Sequence, residues 1–326
     1  ADGPGFVTLT AAPSLVEGGA RGALVALPRD ASGGRTWVAG QAGAQASAEP
    51  GRVMIMRGRP VLLARAEAAA GQAPVTLQVA HDGNWEAEAP DHRLASPALD
   101  AALAGLPAGK AATVSQGSYV IVYDAALAAA VAPLAQWKTL KGLRVVTVGT
   151  DVTGSSTAGI KAWLQTAYDT WDHPPEYVVL LGDIGAIPTY TFQGNPTDLP
   201  YVLLDGDDFL PDAMLGRFPV ENLSQAQTMV ARTIGYERTP YTAEPAWFTK
   251  SLMVAGLTGS TTPPYTVAYC GRQLQSIGFS APTAVTSPVP MPPLLGAQMI
   301  KQSIDLGASM VVYRGWAYGC LLYTSP

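Results

Sequence analysis

The chain has 326 residues, 20 Lys and Arg against 25 Asp and Glu, and a formal net charge of -5. No Lys/Arg cluster stands out, which argues against a nucleic-acid partner, because phosphate binding needs concentrated positive charge. No apolar run approaches the roughly 20 residues of a membrane span, while an apolar content of 48% is ample for buried cores and the length suits two or three domains.

Only 14% of residues are charged, and 34 Gly and 27 Pro are present, a composition that leans towards a β-rich, turn-rich exported protein. Two cysteines, Cys270 and Cys320, allow at most one internal disulfide. No signal peptide is visible and the chain starts without Met, which reads as a processed form or a fragment.

Residues 1–108 read as all-β. The short alternating segments Phe6–Thr10, Val53–Met56 and Val75–Val79 are separated by Gly, Pro and Asp turns, and Arg57-Gly58-Arg59-Pro60 has the look of a hairpin connection. His81 and Asp82 precede Gly83-Asn84, so turn chemistry accounts for that histidine. His92 lies in a Pro-Asp-His-Arg linker. Pro107 to Gly117 is a small-residue connector, after which the pattern alternates between β and α.

Tyr119–Tyr123 reads as a strand. Asp124 can cap a helix to about Lys141, with Leu127, Val131, Leu134, Trp137 and Leu140 at helical spacing and Gly142 as its stop. Leu143–Val148 is the next strand. Ser155, Ser156 or Thr157 can cap a helix to about Trp171, and Tyr177–Leu181 is the third strand. Such a β-α-β-α-β series implies a parallel sheet with right-handed crossovers. A helix over about Ser224–Glu237, again with a serine cap, follows, with Tyr236 on its apolar face and Glu237 pairing locally beside Arg238. A second α/β unit begins near Thr249, with strands at Ser251–Ala255 and Ser309–Tyr313 and helices over Tyr265–Ile277 and Leu294–Asp305.

The densest chemistry lies between Glu176 and Phe218. Two apolar runs, Tyr177–Leu181 and Tyr201–Leu204, end in acid, at Gly182-Asp183 and at Asp205-Gly206-Asp207-Asp208. Both look like buried strands, and carboxylates past the carboxyl ends of strands stand where α/β sheets hold ligands. Three readings are open. Asp183, Asp205, Asp207 and Asp208 can form a calcium site, since that ion takes 6–8 oxygens and the spacing offers close carboxylates and carbonyls. Asp198 and Asp212 can edge a substrate cleft and attract basic side chains. The same acids can instead cap turns and pair with Arg217, with Asp208 or Asp212 as its partner and Asp198 in an Asx turn. His173 precedes a strand's amino end, the wrong end for catalysis, and reads as a loop residue.

Several segments, taken in order and spacing, resemble the gingipain-like cysteine peptidases (peptidase family C25). They are Tyr119-Val120-Ile121-Val122, Ala132–Lys138 and Lys141-Gly142-Leu143; Tyr177–Leu181 with Gly182-Asp183 and Ile187-Pro188; Thr197-Asp198 and Tyr201; Asp205-Gly206-Asp207-Asp208 with Pro211-Asp212; Gly216-Arg217-Phe218; Tyr236-Glu237; and Tyr313-Arg314-Gly315-Trp316. The resemblance spans about Ser118 to Trp316. It implies an α/β fold of caspase/gingipain-like parallel sheets flanked by helices, preceded by a β-rich N-terminal domain. The expected boundaries are a propeptide-like domain at 1–108, a complete first subdomain at 118–240, a truncated second subdomain at 249–319, and an artefactual tail at 320–326.

The resemblance further implies a secreted or cell-surface cysteine endopeptidase acting on proteins or peptides, with no cofactor needed for its Cys–His chemistry and calcium at most structural. In the family the histidine follows the strand corresponding to Ser309–Tyr313, in a Tyr-x-Gly-His-Gly arrangement; here Trp316 takes its place, and no histidine follows His173. The family cysteine would lie on the next strand, beyond residue 326. Cys320 is too near Tyr313 to fill that position, and Cys270 falls within a helix as a small buried hydrophobe. The chain therefore reads as a fragment with no catalytic residue of its own. The alternative is a non-catalytic secreted or surface binding module that retains the peptidase fold.

Overall fold

The computed structural model describes residues 5–11, 20–39, 52–67, 75–87, 93–107, 109–256, 262–286 and 293–315. His92, Trp316, Cys320 and the segment 320–326 lie outside the described residues. The chain divides into two units: one holds Gly22–Pro240 with the first strand, and the other runs from Tyr241 onward.

In the first unit the N-terminal part is two three-stranded sheets. Strands β1 (Gly5–Ala11), β2 (Ala20–Ala26), β3 (Gly34–Ala39), β4 (Val53–Met56), β5 (Arg59–Glu67) and β6 (Val75–His81) assemble in the orders β1-β6-β3 and β2-β5-β4. Period-two alternation sorts the second sheet's side chains. Val25, Leu27, Leu62 and Ala64 pack with Val79 of the first sheet, whereas Ala26, Met54, Met56 and Val61 pack with Leu210 of the α/β part. The second sheet is thus apolar on both faces and lies between its neighbours. β4 and β5 are joined by Arg57-Gly58, both at positive φ (50° and 71°), as a two-residue hairpin turn of the twist-matched kind requires. After β6 the chain enters a short 3-10 turn at Trp85–Ala87, not a further hairpin. Helix α1 (Pro97–Asp100), capped by Ser96, and the connector follow.

The α/β part is a four-stranded parallel sheet, built from β7 (Ser118–Tyr123), β8 (Arg144–Gly149), β9 (Pro175–Leu181) and β12 (Met214–Phe218) in the order β12-β9-β7-β8. Its central strands are buried on both faces, which is why they read as unbroken apolar runs. Val120 and Val122 face α4 (Thr157–Thr170), where Ile160, Leu164 and Tyr168 form one helical stripe. Ile121 faces α2 (Ala128–Leu140) and α5 (Leu223–Arg238), packing with Leu127, Val131, Leu134 and Val230. Gly142 (φ 89°) closes α2 with its N–H on the Thr139 carbonyl, while Leu143 N–H reaches Lys138, the left-handed glycine stop expected there. Between these elements lie the one-turn helix α3 (Thr150–Thr153) and the small hairpin β10 (Tyr190–Phe192) and β11 (Asn195–Thr197).

Four local expectations are corrected. Tyr201–Leu204 is not a strand: Leu199–Val202 is a 3-10 turn containing Pro200, which has no N–H to give to a ladder. The fourth strand is Met214–Phe218 instead. The cap of α5 is Asn222, whose side chain accepts from Gln225 N–H at 3.0 Å, not a serine. Leu140 and Tyr236 are exposed at 80% and 54%, so the apolar stripes of α2 and α5 stop short of them.

The second unit holds a parallel sheet in the order β14-β13-β15, from β13 (Ser251–Ala255), β14 (Thr283–Thr286) and β15 (Met310–Arg314). Helices α6 (Thr262–Ser276) and α7 (Pro293–Asp305) pack on it, with Val267 against Met253 and Ala255 in one cluster and Ile300 against Leu252 and Val254 in another.

Candidate functional site

Charged side chains gather at both edges of the four-stranded parallel sheet. At the carboxyl edge β9 runs into Gly182, whose φ of 154° and tight neighbour Ile187 suit a residue without a side chain. The Asp183 carbonyl accepts from Ala186 N–H and Ile187 N–H, so Asp183 starts a closed turn. Arg217 holds that turn: Nη1 donates at 2.8 Å to the carbonyls of both Gly182 and Ile187. The other side of the guanidinium meets Asp198 in a two-bond fork, Nε to Oδ2 and Nη2 to Oδ1, each 2.7 Å. Paired planar groups of this kind are the strong geometry for an ion pair. Asp198, rather than Asp208 or Asp212, is therefore the partner of Arg217. Both border an open groove of about 450 Å³ along β12, lined also by Leu199, Val202, Leu215 and Gly216. β12 is an edge strand of its sheet, and Met214 to Arg217 of it line this groove.

The amino edge holds a buried charge cluster. Asp212, read above as a possible cleft-edge acid, is wholly buried instead. Its Oδ2 accepts Leu204 N–H at 2.7 Å and Asp205 N–H at 2.8 Å, and its Oδ1 accepts Arg57 N–H at 2.6 Å. Burial pushes its carboxyl up to about 6, against the three backbone donors that favour the anion. Arg57 is 2% exposed and its pKa is lowered by burial, opposed by Tyr168 and the carboxylates of Glu176 and Asp212. Glu176, at the start of β9, is also fully buried and accepts from Ser96 Oγ at 2.5 Å, from Ser115 Oγ and from Gly117 N–H.

The remaining acids of the segment do not converge. Asp208 spends Oδ1 on Leu210 N–H (2.7 Å) and Oδ2 on Ile55 N–H (2.8 Å). Asp205 accepts from the Tyr168 hydroxyl at 3.3 Å, and the Asp207 carbonyl accepts from Arg52. Among the described residues no group of three or more His, Cys, Asp or Glu side chains stands close enough to hold a metal ion. Glu237 does not pair locally with Arg238: it receives Lys138 Nζ at 2.7 Å, Lys141 Nζ at 2.8 Å and Trp137 Nε1 at 2.8 Å, tying α5 to α2. Burial opposes ionisation there, but these three donors hold its carboxyl down at about 2.

In the second unit the carboxyl ends of β13 and β15 meet. Gly256 N–H donates to the Arg314 carbonyl at 2.8 Å, and a Cβ on Gly315 would stand 2.8 Å from Gly256 Cα, so this crossing requires glycine. Cys270 is a free, half-buried thiol on α6, packed with Met253, Ala255 and Val267. The chain's three histidines, at 81, 92 and 173, all precede this unit. His173 sits at the amino end of β9 with Nδ1 2.9 Å from the Gln116 carbonyl, and His81 is buried with Nδ1 3.1 Å from the Gly83 carbonyl. No imidazole is therefore available within the second unit for a thiol there.

Comparison with known proteins places these features. A family model described as Peptidase family C25 matches residues 112–322. Gingipain R2 of Porphyromonas gingivalis strain W83 is 33% identical over 125 residues, covering 38% of this chain and 17% of that protein. Gingipain R1 of Porphyromonas gingivalis shows the same identity and is covered over 12% of its own length. The chain thus matches under a fifth of these relatives. Two solved structures share its fold at 22% identity. The Arg specific cysteine proteinase gingipain R aligns with a TM-score of 0.52 over 63% of this chain and 48% of that one. The complex of Porphyromonas gingivalis RgpB pro- and mature domains aligns at 0.51 over 61% and 48%.

Proposed function

The chain belongs to peptidase family C25, and from that premise we propose that it is part of a secreted or cell-surface cysteine endopeptidase. The family match over residues 112–322 carries this reading. Peptide-bond hydrolysis in such an enzyme needs a thiolate beside an imidazole that takes and returns its proton. The four-stranded parallel sheet supplies the scaffold, with Arg217 and Asp198 fixing the loops at its carboxyl edge. The sheet of the second unit supplies β15, the strand after which the resemblance expects the histidine, ending here in Tyr313-Arg314 and followed by Gly315. Residues 1–108 act as a propeptide-like β-rich segment, and proteins or peptides are the substrates. As the sequence stands, with no histidine after His173, residues 1–326 do not themselves cleave peptides.

One residue favours a second reading. Trp316 stands where the resemblance expects histidine, and indole is no base, which suits a binding module that keeps the fold without the chemistry. The coding sequence downstream of Gly319 separates the two. A histidine followed by a strand ending in cysteine supports the peptidase; the absence of both supports the binding module.

A further inference from the structure

The side chain of Arg57 fills a socket whose walls come almost entirely from beyond the connector. Nη1 donates to the carbonyls of Pro175 at 2.5 Å and Asp212 at 2.9 Å, Nη2 to that of Pro174 at 3.4 Å, and Nε to that of Leu94 at 2.8 Å. The guanidinium carbon lies 5.9 Å from the centre of the Tyr168 ring. Four carbonyls are met by three different guanidinium nitrogens, a pattern that a fork of N–H donors fits and a single ammonium does not. We propose that this is a guanidinium-binding socket built into the amino edge of the α/β sheet, and that through it the β4–β5 hairpin holds the β-rich segment in place without the covalent connector.

Three observations support the proposal. Arg57 is one of two non-glycine residues at positive φ among those described, so the turn accepts an unfavourable residue where Asn or Gly would be easier. The same turn's N–H is held by Asp212, so backbone and side chain are gripped together. The contact is flanked by Ile55 N–H on Asp208 and by the apolar packing of Met54, Met56 and Val61 against Leu210. The apolar patch supplies area without register, and the socket fixes the register. The acceptors at Pro174, Pro175, Asp208 and Asp212 lie just before β9 or β12 or at the first residue of β9, at the amino edge, away from the carboxyl edge that carries Arg217 and Asp198.

The test is to place a specific protease site between Thr113 and Val114, both exposed, cut the full chain, and follow the two pieces by gel filtration. The unmutated cut chain is expected to elute as one species. Arg57→Ala is expected to let the pieces separate, and methylguanidinium to restore their co-elution. Arg57→Lys, which keeps the charge and stem but not the fork, gives a second measurement should the alanine variant not fold. Its pieces should separate at least about tenfold faster, as for one lost charge-assisted hydrogen bond. Separation of the unmutated cut chain, or equal dissociation rates for the unmutated, Arg57→Lys and Arg57→Ala chains, would overturn the proposal.

Discussion

The backbone N–H of Arg57 donates to Oδ1 of Asp212 at 2.6 Å, joining a hairpin turn of the β-rich segment to a loop 155 positions later. Both residues are buried, and the Arg57 guanidinium also bonds the Asp212 carbonyl. The pair is therefore a structural joint, and each of its members has consequences for stability.

Removing one member of a buried, hydrogen-bonded charge cluster leaves the others uncompensated, at a cost of about 3–5 kcal/mol. Arg57→Ala should reduce the unfolding free energy of the intact chain by that amount in urea titration. A loss below about 1 kcal/mol would mean that water or a rearranged side chain takes over the socket.

Asp212 should set part of the pH dependence. Its folded pKa, about 6, is raised above the ordinary 3.8. A raised carboxyl favours the protonated folded state, so its contribution is fully present below 3.8 and lost as pH rises through about 6. Two pKa units correspond to on the order of 2–3 kcal/mol. The difference in stability between the unmutated chain and Asp212→Asn should therefore change across that window. Asn also turns an amide donor towards the N–H groups of Arg57 or of Leu204 and Asp205, so the variant should be weaker throughout. A pH-independent difference contradicts this role.

Glu237 behaves in the opposite sense. Its carboxyl is held at about 2, below the ordinary 4.5, so its contribution is present above 4.5 and lost as pH falls through about 2. Glu237→Gln should lower stability by about 1–3 kcal/mol at neutral pH and flatten the acid limb of the stability curve. An unchanged acid limb would show that Lys138 and Lys141 contribute little there.

Calcium should leave the melting temperature unchanged. Asp208 and Asp212 have committed both oxygens to backbone N–H groups and Asp198 both to Arg217, which leaves too few carboxylates together for a 6–8-oxygen shell. A ligand of the folded state must raise the melting point. A rise with calcium that EDTA reverses would support the metal reading of Asp183, Asp205, Asp207 and Asp208.

The sheet was legible where burial dictates the sequence. Val120, Ile121 and Val122 are apolar because both faces of β7 are covered, and Ile160, Leu164 and Tyr168 keep helical spacing because one face of α4 is. Tyr201–Leu204 looked the same but is buried as a turn, since burial alone does not distinguish a strand from a packed loop. Met214–Phe218 carries no apolar strand signal because Gly216 and Arg217 interrupt its run, and Arg217 is there for the loops it holds. The acids were legible as a group and illegible in role. Whether an aspartate meets a cation, a backbone N–H or water depends on partners such as Arg57 and Ile55, which lie 155 and 153 positions away and leave no local pattern.

Hydrolysis of arginyl and lysyl ester substrates by purified residues 1–326 is the most direct test of the proposed function, in which these residues supply the family scaffold and no thiolate–imidazole pair. The account predicts no turnover above the uncatalysed rate, with or without iodoacetamide. Turnover that iodoacetamide abolishes would contradict it.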